Sequence, residues 1–325
     1  MTRIVVIGGG IAGLSAAAAL SRDAEVTLLE AEDALGYHSS GRSAALIEQN
    51  YGAASVQVLN RASFGPLQEG GYLSPRGLLI VGRAHEKAAF AADMDTLGTV
   101  RITLDEARAF VPVLDPSVVT DAGYHAEAFD IDTDRLLQDF ARQVRLQGST
   151  LVTGAQVTGL CRAAGHWQVT SGEKTYSADI LINAAGAWAD GIAQMAGVRP
   201  LGIVPHRRSM ARIPAPDAHE VSTWPMFFGV GETWYAKPDA GALLVSPADE
   251  DPTEPHDAWA DDMTLAEGLA RYSEVVTTQV TRMLANWAGL RSFAPDRTLV
   301  LGPDPDCPTF VWCAGQGGYG IQTSF

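Results

Sequence analysis

The chain has little cysteine, little basic charge and no long apolar run. Cys161, Cys307 and Cys313 are its only cysteines in 325 residues, an odd count without CxxC spacing. That pattern argues against a disulfide framework or a zinc knuckle and suits a reducing compartment, so a cytoplasmic location is expected, with inner-membrane association left open. The 23 Lys and Arg stand against 38 Asp and Glu, for a formal net charge of −15. An acidic surface of that size repels phosphate backbones. The longest basic cluster, His206-Arg207-Arg208 with Arg212 beyond it, is too small for a nucleic-acid footprint. The seven histidines are scattered without an HExxH spacing, and no metal is expected. The apolar opening Ile4 to Leu20 follows a single Arg3 and is broken by Gly8, Gly9, Gly10 and Gly13, which reads as neither a signal peptide nor a spanning helix.

What the chain has in excess is glycine, 33 residues, about a tenth of the total against a usual ~7%. With 46% hydrophobic and 19% charged residues it reads as globular, and its length suits roughly two domains of about 150 residues. Arg3 to Ile7 is a β-branched run, Ile11 to Leu20 favours a helix, and Glu25 to Leu29 is a second buried strand. That βαβ unit implies a parallel sheet covered by helices. An extended stretch between Gly71 and Val81, and three strand-like runs from Thr223 to Val245 separated by turn residues, read as antiparallel sheet. Helices are expected over Thr133 to Gln147 and Thr264 to Leu284. The strand Asp179 to Asn183 and the final strand Thr309 to Cys313 return the chain to α/β character. The fold class is therefore α/β: a discontinuous Rossmann-like cofactor domain (1–70, 130–200, 286–325) and a mostly antiparallel substrate domain (71–129, 201–285).

Gly8-x-Gly10-x-x-Gly13 follows a strand and opens a helix, and Glu30 ends the next strand. Gly8 makes the tight turn, Gly10 admits a pyrophosphate to the helix N-terminus, and Gly13 lets the helix pack closely. Glu30 accepts ribose hydroxyls and argues against a 2′-phosphate. FAD and NAD share this fingerprint. Three further junctions favour one long cofactor: His38 to Ala45, Asn183 to Trp188, and Gly315 to Gly320. A soluble NAD-dependent dehydrogenase would leave the first and last of them without a task.

The chain resembles the D-amino-acid oxidase family of flavoproteins, and within it the bacterial FAD-dependent D-arginine dehydrogenases. The residues that carry the resemblance run in order along nearly the whole chain. They are Gly36 to Ala45, Asp130 to Asp134, Asn183 to Trp188, Gly197 to Gly202, Arg207-Arg208-Ser209, Tyr235 with Lys237 to Gly241, Trp287 to Phe293, and Gln316 to Ser324. The resemblance implies non-covalent FAD held by Gly8, Gly10, Ile11, Ala12, Gly13, Glu30 and Ala31, and by Ser39, Ser40, Gly41, Arg42, Ser43, Ala44, Ala45 and Leu46. It adds Val157, Ala185, Gly186, Trp188, Gly289, Gly317, Gly318, Tyr319, Gly320, Ile321 and Gln322. Tyr51, Tyr235 and Arg291 match catalytic positions, with Arg291 as the carboxylate-binding arginine. Arg208, Gly318 and Tyr319 match further substrate contacts. Glu69 aligns with an acid that meets a guanidinium, whose burial without a partner is costly.

The implied reaction moves the α-hydrogen of a D-amino acid, D-arginine and D-lysine foremost, as hydride to flavin N5. The imine then hydrolyses to a 2-oxo acid and ammonia, and electrons pass to an acceptor other than oxygen, such as a quinone. An oxygen-using oxidase of glycine, sarcosine or another amine is the alternative, and a flavin-binding protein without turnover is a third. Leu46 and Glu48 depart from the histidine and threonine of the resembled dehydrogenases. Relatives continue past Thr-Ser into a helix aimed at the flavin pyrimidine, so a chain stopping at Phe325 is expected to bind FAD poorly or turn over slowly.

Overall fold

The computed structural model describes residues 1–216 and 219–325. β1 (Arg3–Ile7), α1 (Ile11–Leu20) and β2 (Glu25–Leu29) form as the sequence predicts. β1 is central in a six-stranded sheet, paired in parallel with β2 on one side and with Ile180–Asn183 on the other. Thr150–Val152 and Phe310–Ala314 extend the parallel sheet, and Val300–Pro303 adds an antiparallel edge. Strands covered on both faces are apolar on both, as β1 shows after Arg3: Val5 and Ile7 enter one core cluster, Ile4 and Val6 the other. One cover is α1 with the helix Thr133–Leu146, whose Leu136, Phe140 and Val144 are buried. The opposite cover includes the antiparallel meander Gly159–Ala178, which contributes Trp167 and Val169.

The second layer is a nine-stranded, mainly antiparallel sheet. Met226–Gly229, Tyr235–Asp239 and Ala242–Ser246 form the expected hairpins, and the first of them pairs in parallel with Leu78–Arg83. A third small sheet joins Leu46–Glu48, Ala128–Ile131 and Leu73–Pro75 between the two larger ones.

Two expectations are corrected. The helix expected over Thr264 to Leu284 spans Asp262–Ser273 only. Beyond it the chain turns at Glu274 and Val275, Val276 makes an isolated antiparallel bridge with Leu114, the Asp115 and Thr277 N–H groups donate to the Val275 and Val113 carbonyls, and both valines are buried. The β-branched run Val275-Val276-Thr277-Thr278 disfavours a helix, and that outweighs the helical spacing. The boundary at residue 286 also moves. Ala285–Phe293 pairs along Val204–Pro214 within the substrate sheet, and the chain rejoins the cofactor sheet only at Val300.

Candidate active site

One deep cleft lies between the two large sheets, with about 1500 Å³ of empty space including its mouth. Its cofactor end is built from backbone. Gly10, Ile11 and Ala12 at the N-terminus of α1 line it, with Ser39, Ser40 and the stretch from Arg42 to Leu46. The glycines of the turn behind this wall, Gly8 and Gly13, do not line the cleft themselves but are sterically required. A Cβ on Gly13 would stand 1.9 Å from the Gly8 carbonyl oxygen, and one on Gly8, at φ +112°, 2.3 Å from the Ala184 oxygen. The Ile11 N–H donates to Ser40 Oγ at 2.9 Å, which ties the helix start to the serine loop. Glu30 accepts from the Gly9 N–H at 2.6 Å and from the Glu32 N–H at 2.9 Å, so its carboxylate stands against the fingerprint turn.

Lys237 holds the far side of that loop. Its buried ammonium donates to the Ala44 and Ala45 carbonyls and pairs with Asp130 at 2.7 Å. Burial lowers its pKa, and Asp130 works against that shift. Gly289, Gly317, Gly320, Ile321 and Gln322 complete the wall. Gln322 is 5% exposed, and its Nε2 has no hydrogen-bond partner among the described residues. A buried donor without a partner calls for a ligand acceptor, and a flavin carbonyl would suit it.

Other expected cofactor contacts stand apart. Arg42 lines the cleft, but its guanidinium is spent on the Tyr37, Ala258 and Ala288 carbonyls and on Asp257 at 2.6 Å. It fastens the loop to the substrate sheet and has no free fork for a pyrophosphate. Gly41 is outside the lining, where a Cβ would meet the Gly36 oxygen at 2.6 Å. Val157 is packed in the core behind the sheet, and Trp188 lies against His38 at the surface. Ala31 and Ala185 also fall outside the lining.

The substrate end is built from side chains brought together by strand register. Arg208 on Val204–Pro214 is opposite Gly289, and Arg291 is two residues beyond Gly289 on the same strand. Both arginines therefore share one face of the pair, and Gly289 places no side chain between them. Gly318, at φ +91°, admits Arg291: a Cβ there would stand 2.6 Å from Arg291 Nε. The nearest carboxylate to the Arg291 guanidinium is Glu250, 4.0 Å away. Burial acts to lower the Arg291 pKa, but Tyr51, Tyr235, Glu232 and Glu250 outweigh it, and the net shift is upward. Arg208 is 7% exposed; its Nη2 meets Glu250 Oε1 at 3.3 Å while Nε and Nη1 are unpaired among the described residues.

Tyr51 donates its hydroxyl to Glu232 Oε2 at 3.0 Å, and its ring meets Tyr319 edge-on at 5.6 Å. Burial first, and then the Glu232 charge, push the Tyr51 hydroxyl well above the usual tyrosine range and keep it a donor. Tyr235 is 5% exposed and donates only to the Met210 sulfur at 3.6 Å, a weak acceptor that leaves the hydroxyl available.

Glu69 does not join this group. It ends the helix Ala54–Glu69, exposed to solvent and outside the cleft, because that helix turns Val56, Asn60, Ser63 and Leu67 inward. Two other acids line the cleft: Glu48 and Glu232. Glu232 follows the left-handed Gly231 and is itself at φ +51°. In sequence it reads as one residue of a turn, and nothing local marks it as part of a site.

A family model described as FAD dependent oxidoreductase matches residues 3–325. The chain belongs to the DAO family of FAD-dependent oxidoreductases. FAD is accordingly its cofactor. Among curated relatives, hydrogen cyanide synthase subunit HcnC of Pseudomonas aeruginosa is 28% identical over 199 residues, 58% of this chain and 45% of the relative. L-2-hydroxyglutarate dehydrogenase of Indibacter alkaliphilus is 24% identical over 212 residues, 59% of this chain and 52% of the relative. The aligned stretches thus span about half the length of those relatives. The FAD-bound structure of L-α-glycerophosphate oxidase from Mycoplasma pneumoniae superposes with a TM-score of 0.87 at 18% identity, over 100% of this chain and 92% of the other. At that identity the likeness shows the fold. No helix among the described residues is long and apolar enough to cross a membrane, and no His, Cys, Asp and Glu cluster there could hold a metal.

Proposed function

We propose that this DAO-family enzyme oxidises the Cα–H bond of an amino acid, with D-arginine and D-lysine as preferred substrates. The observation that carries the reading is Arg291, a half-buried cation lining the cleft with no closer carboxylate than Glu250 at 4.0 Å. Its planar fork suits bidentate capture of an α-carboxylate. Arg208 adds donors from the neighbouring strand, and Tyr235 offers a hydroxyl. Glu232, held by Tyr51, supplies negative charge near Arg291 where an α-ammonium would lie. FAD supplies the hydride acceptor when bound. The protein's part is to hold the carboxylate and orient the Cα–H bond, since fixed geometry removes much of the entropic barrier. Loss of hydride from Cα and of a proton from nitrogen leaves an imine, which water converts to the 2-oxo acid and ammonia.

We propose an electron acceptor other than oxygen, such as a quinone. Dye reduction under nitrogen that exceeds peroxide formation in air is the expected result; the reverse identifies an oxidase.

A second reading rests on Arg208. Its two unpaired buried nitrogens beside Arg291 would also suit a substrate with two carboxylates, a 2-hydroxy diacid among them. A stopped-flow panel of D-arginine, D-lysine, glycine and L-2-hydroxyglutarate on the flavin-loaded protein separates the readings. The amino-acid reading expects D-lysine and D-arginine to reduce the flavin fastest. It fails if only the diacid does so.

A further inference from the structure

The departure at Glu48 acquires a task. Leu46–Glu48 is a strand, so Leu46 and Glu48 share one face and Ile47 the other. Leu46 and Glu48 line the cleft, and Ile47 is fully buried in the cofactor-domain core. Leu46 packs with Leu78, Leu97, Met226 and Phe228 in one apolar cluster, and all of these line the same cleft. That stretch of the cleft wall is therefore an apolar sleeve, and Glu48 is the acid on its Leu46 strand.

Glu48 is 3% exposed. Both carboxylate oxygens accept the single Asn50 N–H, at 3.0 and 2.9 Å, and the nearest basic group is His125 Nε2 at 3.4 Å. Among the described residues no lysine or arginine lies within ion-pair distance of it; Arg61 acts only from farther away. A carboxylate so buried is under-compensated, because desolvation costs several kcal/mol unless a charge partner and hydrogen bonds offset it. Glu232 differs: it takes the Tyr51 hydroxyl hydrogen and lies in the field of Arg291. It belongs to the end where the α-carbon reacts.

We propose that Glu48 selects the substrate's distal cation. The α-carboxylate sits on Arg291, a methylene chain fills the sleeve, and a terminal ammonium or guanidinium meets Glu48. This assignment rests on the amino-acid reading for its reaction. It replaces Glu69 as the acid that reads the side chain.

The test uses 6-aminohexanoate, which is lysine without its α-amine and so cannot be oxidised at Cα, against hexanoate. Binding to the flavin-loaded protein is followed by isothermal titration and by the shift in the flavin spectrum. The expected result is that 6-aminohexanoate binds at least about tenfold tighter than hexanoate, a difference that ~1.4 kcal/mol provides. In Glu48→Gln the advantage falls below about threefold, while Glu232→Gln retains it. Equal binding of the two acids by the unmutated protein overturns the proposal without any variant. Retention of the preference in Glu48→Gln, or its loss in Glu232→Gln alone, overturns it as well. Neither ligand turns over, so a failed substrate panel with an intact 6-aminohexanoate preference would condemn the reaction and leave the cation site standing.

Discussion

The two ends of the cleft are made in different ways. The cofactor end is a backbone surface, set by glycines and small residues at strand-to-helix junctions. The substrate end is a side-chain surface: Tyr51, Arg208, Glu232, Tyr235 and Arg291 come from separate strands and turns and meet only when the substrate sheet forms. The first tolerates almost no added atom. The second depends on placing charges that partly cancel, Arg291 and Arg208 against Glu232 and Glu250. A substitution at the first should therefore act on folding and flavin content, and one at the second on substrate.

The largest expected effect is at the backbone end. Gly13→Ala places a methyl 1.9 Å from the Gly8 oxygen, a backbone clash that should cost about 4–5 kcal/mol. Thermal melting and the ratio of flavin to protein absorbance should fall together; unchanged flavin content would break the contrast. Next comes Arg291→Met, which should lower kcat/KM by about two to three orders of magnitude. Flavin content is expected to stay near normal, and its loss would mean that the substrate end also supports the cofactor. Tyr51→Phe removes one hydrogen bond to a carboxylate, a loss of about 1.5–3 kcal/mol that should appear mainly in kcat/KM, by roughly tenfold or more. An unchanged kcat/KM would show that the Glu232 contact has no part in substrate binding.

The smallest effect concerns stability. Burial is the main cause that raises the Glu48 pKa, and the Asn50 backbone and His125 act in opposition. A carboxyl with a raised folded pKa favours the folded state below its unfolded pKa and loses that contribution as pH rises through the folded value. Glu48→Gln should thus melt higher than the unmutated protein at about pH 8, and the gap should close toward about pH 4. A gap that widens on acidification would reverse the assigned sign.

The same contrast explains what could be read in advance. Gly8, Gly10, Gly13 and Glu30 were legible because the turn, the helix start and the acid are local in sequence. Helix Thr133–Leu146 was legible from its one-sided apolar pattern. Arg42 was placed on the right loop, but three of its four guanidinium partners, Ala258, Ala288 and Asp257, lie more than two hundred residues away. Glu69 was misplaced because nearness to the Leu73-Ser74-Pro75-Arg76 stretch says nothing about which way a helix turns its last residue. Glu232 gave no signal, since an acid in a glycine turn usually faces water. Its role depends on Tyr51, which is 181 positions away. Register and long-range pairing decide the substrate end, and neither is a local property.

The most direct test of the account is anaerobic titration of the flavin-loaded protein with D-lysine, D-norleucine and L-2-hydroxyglutarate, following loss of the oxidised-flavin band. The account predicts fast bleaching by D-lysine, slower bleaching by its uncharged analogue and none by the diacid. Bleaching by L-2-hydroxyglutarate with no response to either amino acid would contradict it.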